Sequence, residues 1–109
     1  MKSEDKKIWT DALRSGEYKQ GRRNLYFDGK FCCLGVAYVV LVDGDWVFDD
    51  KFDSWAVTEN PYCNDSDIVL PYEILEKIGL QPYKQDELAT FNDDGWSFEQ
   101  IADWIDENL

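Results

Sequence analysis

The apolar positions of this chain fall into separate blocks whose spacing changes along the sequence. The last block is the clearest. Phe98, Ile101, Ala102, Ile105 and Leu109 recur at helical spacing, and Ser97 with Gln100 supplies the capping box that opens such a helix. Near the other end, Ile8, Trp9, Ala12 and Leu13 form one apolar stripe. Ser3 is the expected cap there, Glu4 and Asp5 suit the positive end of the helix dipole, and Ser15-Gly16 provides the stop. A third helix is expected to run from Pro71, at its first position, to Ile78, with Ile74, Leu75 and Ile78 facing inward and Gly79 closing it.

Between these blocks the pattern is shorter-ranged. Residues 16–30 are polar and punctuated by glycine, with a short strand expected at Asn24–Phe27 and a turn at Asp28-Gly29. Phe31–Val42 is continuously apolar, which periodicity cannot resolve. Its length of about a dozen residues favours a helix, whereas Val36, Val39, Val40 and Val42 favour a strand. Asp43-Gly44-Asp45 ends the run. Trp46–Phe48 and Ser54–Val57 read as a hairpin across an acidic turn at Asp49–Asp53, and Asn60–Asp67 reads as loop. After another loop around Pro82, only a short turn of helix is expected, at Glu87–Phe91. Residues 1–109 therefore read as a single α+β domain, with about four helices packed on a short antiparallel sheet or hairpin.

Composition changes this picture in one respect. A hydrophobic content of 44% and an aromatic content of 16% are too high for a disordered acidic tail, so the charge is mounted on a folded body. That charge is −12 overall and unevenly placed. Residues 1–42 hold eight Lys or Arg against five Asp or Glu, whereas residues 43–109 hold three against eighteen. Such a body repels nucleic acid and anionic membranes and attracts basic partners through a long-range, salt-screened field. The opening segment MKSEDKKIWTDALR lacks the apolar core of a signal peptide, and Phe31–Val42 is about half the length of a bilayer span. Three cysteines, two of them adjacent, do not make a disulfide framework. The expectation is a cytoplasmic protein with reduced thiols.

Candidate chemistry is sparse. Cys33, at the start of a helix, would have a depressed pKa, but the chain has no histidine to serve as its base. The competing account packs one of the two thiols in the core beside Phe31. Cys32, Cys33 and Cys63 give only three metal ligands without Cys-x-x-Cys spacing, so no metal is expected. Asn92-Asp93-Asp94-Gly95 looks like part of a calcium loop, yet Thr90 and Ile101 stand where its first and last carboxylates belong. No cofactor or catalytic residue is expected.

The outer face of the last helix is different. Glu99, Asp103, Asp106 and Glu107 fall opposite its apolar stripe, and three of them crowd the C-terminal turns, where the helix dipole disfavours negative charge. Asp93 and Asp94 lie just upstream, and Trp96 and Trp104 are candidate anchors for a partner. The competing account is a solvated face that keeps the protein soluble. A second candidate site uses Arg14, Tyr18, Gln20, Arg22 and Arg23 around a helix start at Cys33–Gly35, where backbone donors can hold phosphate.

Three blocks carry a resemblance: Trp9-x-x-Ala12-Leu13-Arg14-Ser15-Gly16-x-Tyr18-x-Gln20-Gly21, then Phe31-Cys32-Cys33-Leu34-Gly35-Val36, then Leu70-Pro71 through Ile78-Gly79-Leu80 and Leu88 to Asn92-Asp93-x-Gly95-x-Ser97-Phe98-x-x-Ile101-Ala102. The set resembles a family of small bacteriophage and prophage proteins; Asp43–Asp67 matches no block. The resemblance implies a viral context and transfers no catalytic residues. By analogy with other small acidic viral proteins, the expected function is a non-enzymatic, phage-encoded inhibitor. It would bind the basic, nucleic-acid-binding surface of a host protein or nuclease complex, a counter-defence role of the anti-CRISPR kind and a form of DNA mimicry. It would contact neither nucleic acid nor membrane directly. The alternative is a small-ligand binder that sequesters a signalling nucleotide through the Arg14–Gly35 set.

Overall fold

The computed structural model of the chain describes residues 1–49, 54–57 and 68–109. The turn expected beyond Asp49, the loop expected at Asn60–Asp67 and Cys63 lie outside the described residues. Helix α1 (Ser3–Arg14) is followed by β1 (Lys19–Gln20), β2 (Tyr26–Phe27) and β3 (Lys30–Phe31). Next come α2 (Cys33–Ala37), which continues as a π-helical turn at Tyr38–Val42, and the strands β4 (Val47–Asp49) and β5 (Ser54–Ala56). Helices α3 (Tyr72–Ile78), α4 (Pro82–Asp93) and α5 (Phe98–Asn108) complete the α+β fold. No helix among the described residues is long and apolar enough to cross a membrane.

The apolar run that periodicity left open resolves as β3 followed directly by helix. Every residue from Cys32 to Tyr38 is buried, so this segment has no polar face and leaves no helical pattern in the sequence. Around it pack Trp9 and Leu13 of α1, Leu75 and Ile78 of α3, Leu88 of α4, and Ile101, Ala102 and Ile105 of α5. Trp9 is fully buried, and its indole Nε1–H donates to the Cys33 carbonyl at 2.9 Å. That bond satisfies the one polar atom a buried tryptophan brings with it.

Two small sheets flank this helical body. Strand order is β1-β3-β2, with β3 parallel to β1 and antiparallel to β2. Asp28 (φ 52°) and Gly29 (φ 75°) both adopt left-handed backbone, which is what a two-residue hairpin requires to match strand twist. Strands β4 and β5 pair antiparallel, Val47 opposite Ala56. Rings bind the two sheets together: Tyr26 of β2 lies 6.1 Å from Trp55 of β5 and 5.4 Å from Trp46, just before β4, centroid to centroid.

Three expectations need correction. α4 is a full 12-residue helix with Pro82 in its first turn, where a short turn at Glu87–Phe91 was expected, which brings the helices to five. Its buried stripe is Gln85, Leu88 and Asn92, so two of three inward positions are polar and hydrophobic periodicity misses the helix. In α1, Ile8 is exposed and Thr10 takes the inward place, with its hydroxyl donating to the Lys6 carbonyl. Ser3 lies inside α1 and does not cap it. The α5 capping box forms as expected: the Ser97 hydroxyl accepts from the Gln100 N–H, and the Gln100 side chain accepts from the Ser97 N–H.

Candidate functional site

The acidic face of α5 is built by its helical spacing. Phe98, Ile101, Ala102 and Ile105 bury one side of the helix and leave Glu99, Asp103, Asp106 and Glu107 exposed on the other. No basic residue stands in the last turn to offset the helix dipole. The compensating charge comes instead from α1. Arg14 Nη2 donates to Asp103 Oδ1 and to Asp106 Oδ2, both at 2.8 Å. Those hydrogen bonds, Asp103 first, raise the Arg14 pKa above its ordinary value. With 35% of the Arg14 side chain exposed, the fork is screened by solvent and contributes mainly orientation. It fixes two carboxylates three residues apart while Glu99 and Glu107 stay outside every ion pair among the described residues.

The two tryptophans lie on the other flank of this helix. Trp104 meets Phe91 of α4 edge-on at 5.2 Å, and Trp96 stacks on the same ring at 4.2 Å. The Lys84 ammonium sits 5.2 Å from the Trp104 centroid. Both tryptophans are half-buried. Asp93 and Asp94 are exposed at the end of α4, but the Asp93 carboxylate is engaged, accepting from the Arg23 N–H at 2.8 Å. Of the eight expected partner residues, six fall into two groups: Glu99, Asp103, Asp106 and Glu107 form a carboxylate strip along α5, two of them held by Arg14 of α1, and Trp96 and Trp104 form an aromatic pair on Phe91 of α4. Asp93 and Asp94, at the end of α4, belong to neither group.

The second candidate site does not assemble. Arg14 is committed to α5, and Tyr18 packs edge-on to Phe31 at 5.4 Å. Cys33 and Gly35 are buried, and the Cys33 N–H is already taken by Asn92 Oδ1 at 3.1 Å. That same oxygen accepts from Gln20 Nε2 at 3.1 Å, while Asn92 Nδ2 donates to the Gly21 carbonyl at 2.7 Å. Gln20 Nε2 also donates to the Trp96 carbonyl at 2.6 Å. A fully buried asparagine thus joins α4, α2 and the β1 loop, and its own bonds occupy the donors that a phosphate would need. Only Arg22 and Arg23 of this set remain exposed and outside the ion pairs.

A family profile described as a domain of unknown function (DUF8296) matches residues 1–109. The chain belongs to that family. No curated protein matches the chain, and neither does any solved structure. In this DUF8296 domain no group of three or more His, Cys, Asp or Glu converges on a common point among the described residues.

Both described thiols of the DUF8296 domain are sealed in its core. Burial pushes the Cys32 thiol up to about 11 and holds Cys33 well above its ordinary value, with the neighbouring Cys32 raising Cys33 further. A thiol so shifted is almost wholly protonated at neutral pH. Its linkage to stability has a definite sign. The unfolded thiols ionise near pH 9 and the folded ones do not, so above that pH the unfolded state binds fewer protons and stability falls as pH rises. Cys32 alone should cost about 1.4 kcal/mol by pH 10. Urea titrations at pH 7, 9 and 10 read this loss, and Cys32→Ala should flatten the slope relative to its own pH 7 value.

Sequence reasoning missed Asn92 and Gln85 as structural groups, because buried amides resemble surface ones in composition. It also missed the Arg14 fork, whose partners lie 89 and 92 residues away and carry no local signal.

Proposed function

We propose that this domain is a phage-encoded, non-catalytic inhibitor that binds a basic, nucleic-acid-binding surface on a host protein in the bacterial cytoplasm. The observation that carries the reading is the α5 face. Asp103, Asp106 and Glu107 stand in the C-terminal half of a helix whose dipole opposes them, and among the described residues Arg14, from another element, offsets the first two and nothing pairs with Glu107. Charge placed against local stability is accounted for by an external cation. A rigid helix presents Glu99, Asp103, Asp106 and Glu107 at fixed steps, as a partner that normally holds phosphates would require. The half-buried Trp96 and Trp104 beside this strip supply apolar area at its edge. The viral context rests on the sequence resemblance, and the counter-defence role is an analogy from it.

Immobilised domain should capture a basic protein from a lysate of the bacterial host, and the captured protein should elute steeply as salt rises. The informative variant is Asp94→Asn/Glu99→Gln/Glu107→Gln, which leaves the Arg14 fork intact. It should slow association with the captured protein by tenfold or more while changing dissociation less than threefold. Capture that is indifferent to salt, or equal for the variant, would remove the reading.

A further inference from the structure

The exposed side of the three-stranded sheet carries a chemistry unlike the rest of the surface. Alternation along these strands sends Gln20, Tyr26 and Phe31 to the half-buried side and Lys19, Lys30 and Phe27 to solvent. The register sets the outward three in one row, Lys19 beside Lys30 and Lys30 beside Phe27. Two ammonium groups side by side oppose strand pairing, so sheet stability does not explain the row. Arg22 and Arg23 adjoin it. Among the described residues, none of these four cations enters an ion pair.

The same face is concave. A depression of about 230 Å³ is lined by Gly21, Arg22, Asn24, Phe27, Asp28 and Lys30. Its floor needs glycine: a Cβ on Gly21 would come within 2.9 Å of the Lys30 Cβ. Gly95 lies beneath Arg22, with room for a Cβ only 3.2 Å from the guanidinium Nη2. Arg23 is held at φ 71°, a left-handed conformation that a non-glycine residue rarely keeps, by its N–H bond to the Asp93 carboxylate. Arg22 lines the depression while its guanidinium lies over Gly95.

We propose that this face binds a small organic phosphate. Arg22 and Lys30 hold the phosphoryl group, Lys19 adds to the local field, the Asn24 amide offers a hydrogen bond, and a flat ring lies against Phe27. Guanidinium and ammonium donors on one rim suit phosphoryl oxygens, and Phe27, 48% exposed, has no other evident use. Size and charge both select a small ligand. The volume falls below the range usual for drug-sized ligands. The overall −12 repels a ligand in proportion to the ligand's charge, whereas the rim cations act within a screening length of about 8 Å. Asp28, which also lines the depression, disfavours a polyanion further. This site shares Arg22 with the set expected around α2 but lies on the sheet face beside the β2–β3 hairpin, and it does not rest on the inhibitor reading.

The test is an amide-resolved NMR titration of the full chain with adenosine 5′-monophosphate, inorganic phosphate and adenosine. Adenosine monophosphate should shift the signals of Gly21, Arg22, Asn24 and Lys30 saturably. Inorganic phosphate should bind at least tenfold more weakly, and adenosine should leave these signals in place. Arg22→Gln/Lys30→Gln should weaken the nucleotide tenfold or more, and Phe27→Ala should reduce it to the level of inorganic phosphate. Lys7→Gln/Lys77→Gln, the same charge change elsewhere, should bind as the parent does. The proposal is overturned by the absence of saturable shifts, by equal binding of phosphate and nucleotide, or by unchanged binding in Arg22→Gln/Lys30→Gln. Tighter binding of a single-stranded oligonucleotide than of the monophosphate would overturn it too.

Discussion

Replacing Asn92 with leucine should destabilise this domain by roughly 3–5 kcal/mol, a large share of the 5–15 kcal/mol that holds a typical domain together. Leucine matches asparagine in shape, so packing changes little, and the effect isolates the polar bonds. Without the amide, the buried Cys33 N–H and the Gly21 carbonyl each lose the partner that Asn92 provides, and Gln20 loses one of its two. Each orphaned buried group costs about 1–3 kcal/mol, because it has left water and found nothing in exchange. Urea denaturation at neutral pH reads the difference as a lower midpoint at an unchanged slope. Asn92→Asp separates the two halves of the amide. Its carboxylate still accepts from Cys33 and Gln20 but cannot donate to Gly21, and it introduces a buried charge. That variant should recover stability as pH falls and the carboxyl gains a proton, whereas Asn92→Leu should show no such recovery. A loss below 1 kcal/mol for the leucine variant would mean that the bonds at Asn92 do not hold the fold.

That node also marks where the sequence stopped being legible. α5 could be read residue by residue because its inward positions are all apolar and its cap is a two-residue code, Ser97 and Gln100. α4 could not, because it faces the core with Gln85 and Asn92. Gln85 exchanges two bonds with the Leu70 backbone, accepting from its N–H at 2.8 Å and donating to its carbonyl at 3.2 Å. Such an amide does inside the core what a strand neighbour does in a sheet, and no periodicity rule counts it as inward. The turn at Asp28-Gly29 was legible through its residues, whereas the strand β3 that follows it and the parallel pairing of Lys19-Gln20 with β3 were not. Two residues cannot display alternation, and their partner is chosen by tertiary packing. Of the candidate site, the acidic strip on α5 could be read from spacing alone. That Arg14 binds two of its members, and that the tryptophans turn toward α4, depends on how α1 and α4 dock.

Gly35→Ala should be nearly as damaging as the loss of Asn92, at roughly 3–5 kcal/mol, although it adds a single methyl group. A Cβ at position 35 would collide with the Leu25 carbonyl oxygen and stand 2.8 Å from its carbonyl carbon. The obstacle is backbone, so no rotamer change can clear it. That same oxygen accepts the Cys32 N–H at 3.2 Å, the bond that joins the start of α2 to the strand side of the molecule. Pushing the two apart therefore adds the strain of overpacking, about 1–3 kcal/mol, to the cost of a buried N–H left without a partner. Gly16→Ala gives the contrast. Gly16 has φ 80° but open space around it, so only backbone strain remains, about 1 kcal/mol. If Gly35→Ala proved as mild as Gly16→Ala, the close approach of α2 to Leu25 would not constrain the fold. The variant also separates the two faces of the molecule. Leu25 adjoins β2, so the amide signals of Arg22–Phe31 should move most and phosphate binding there should weaken. The α5 strip, tied to α1 through Arg14, should keep its geometry.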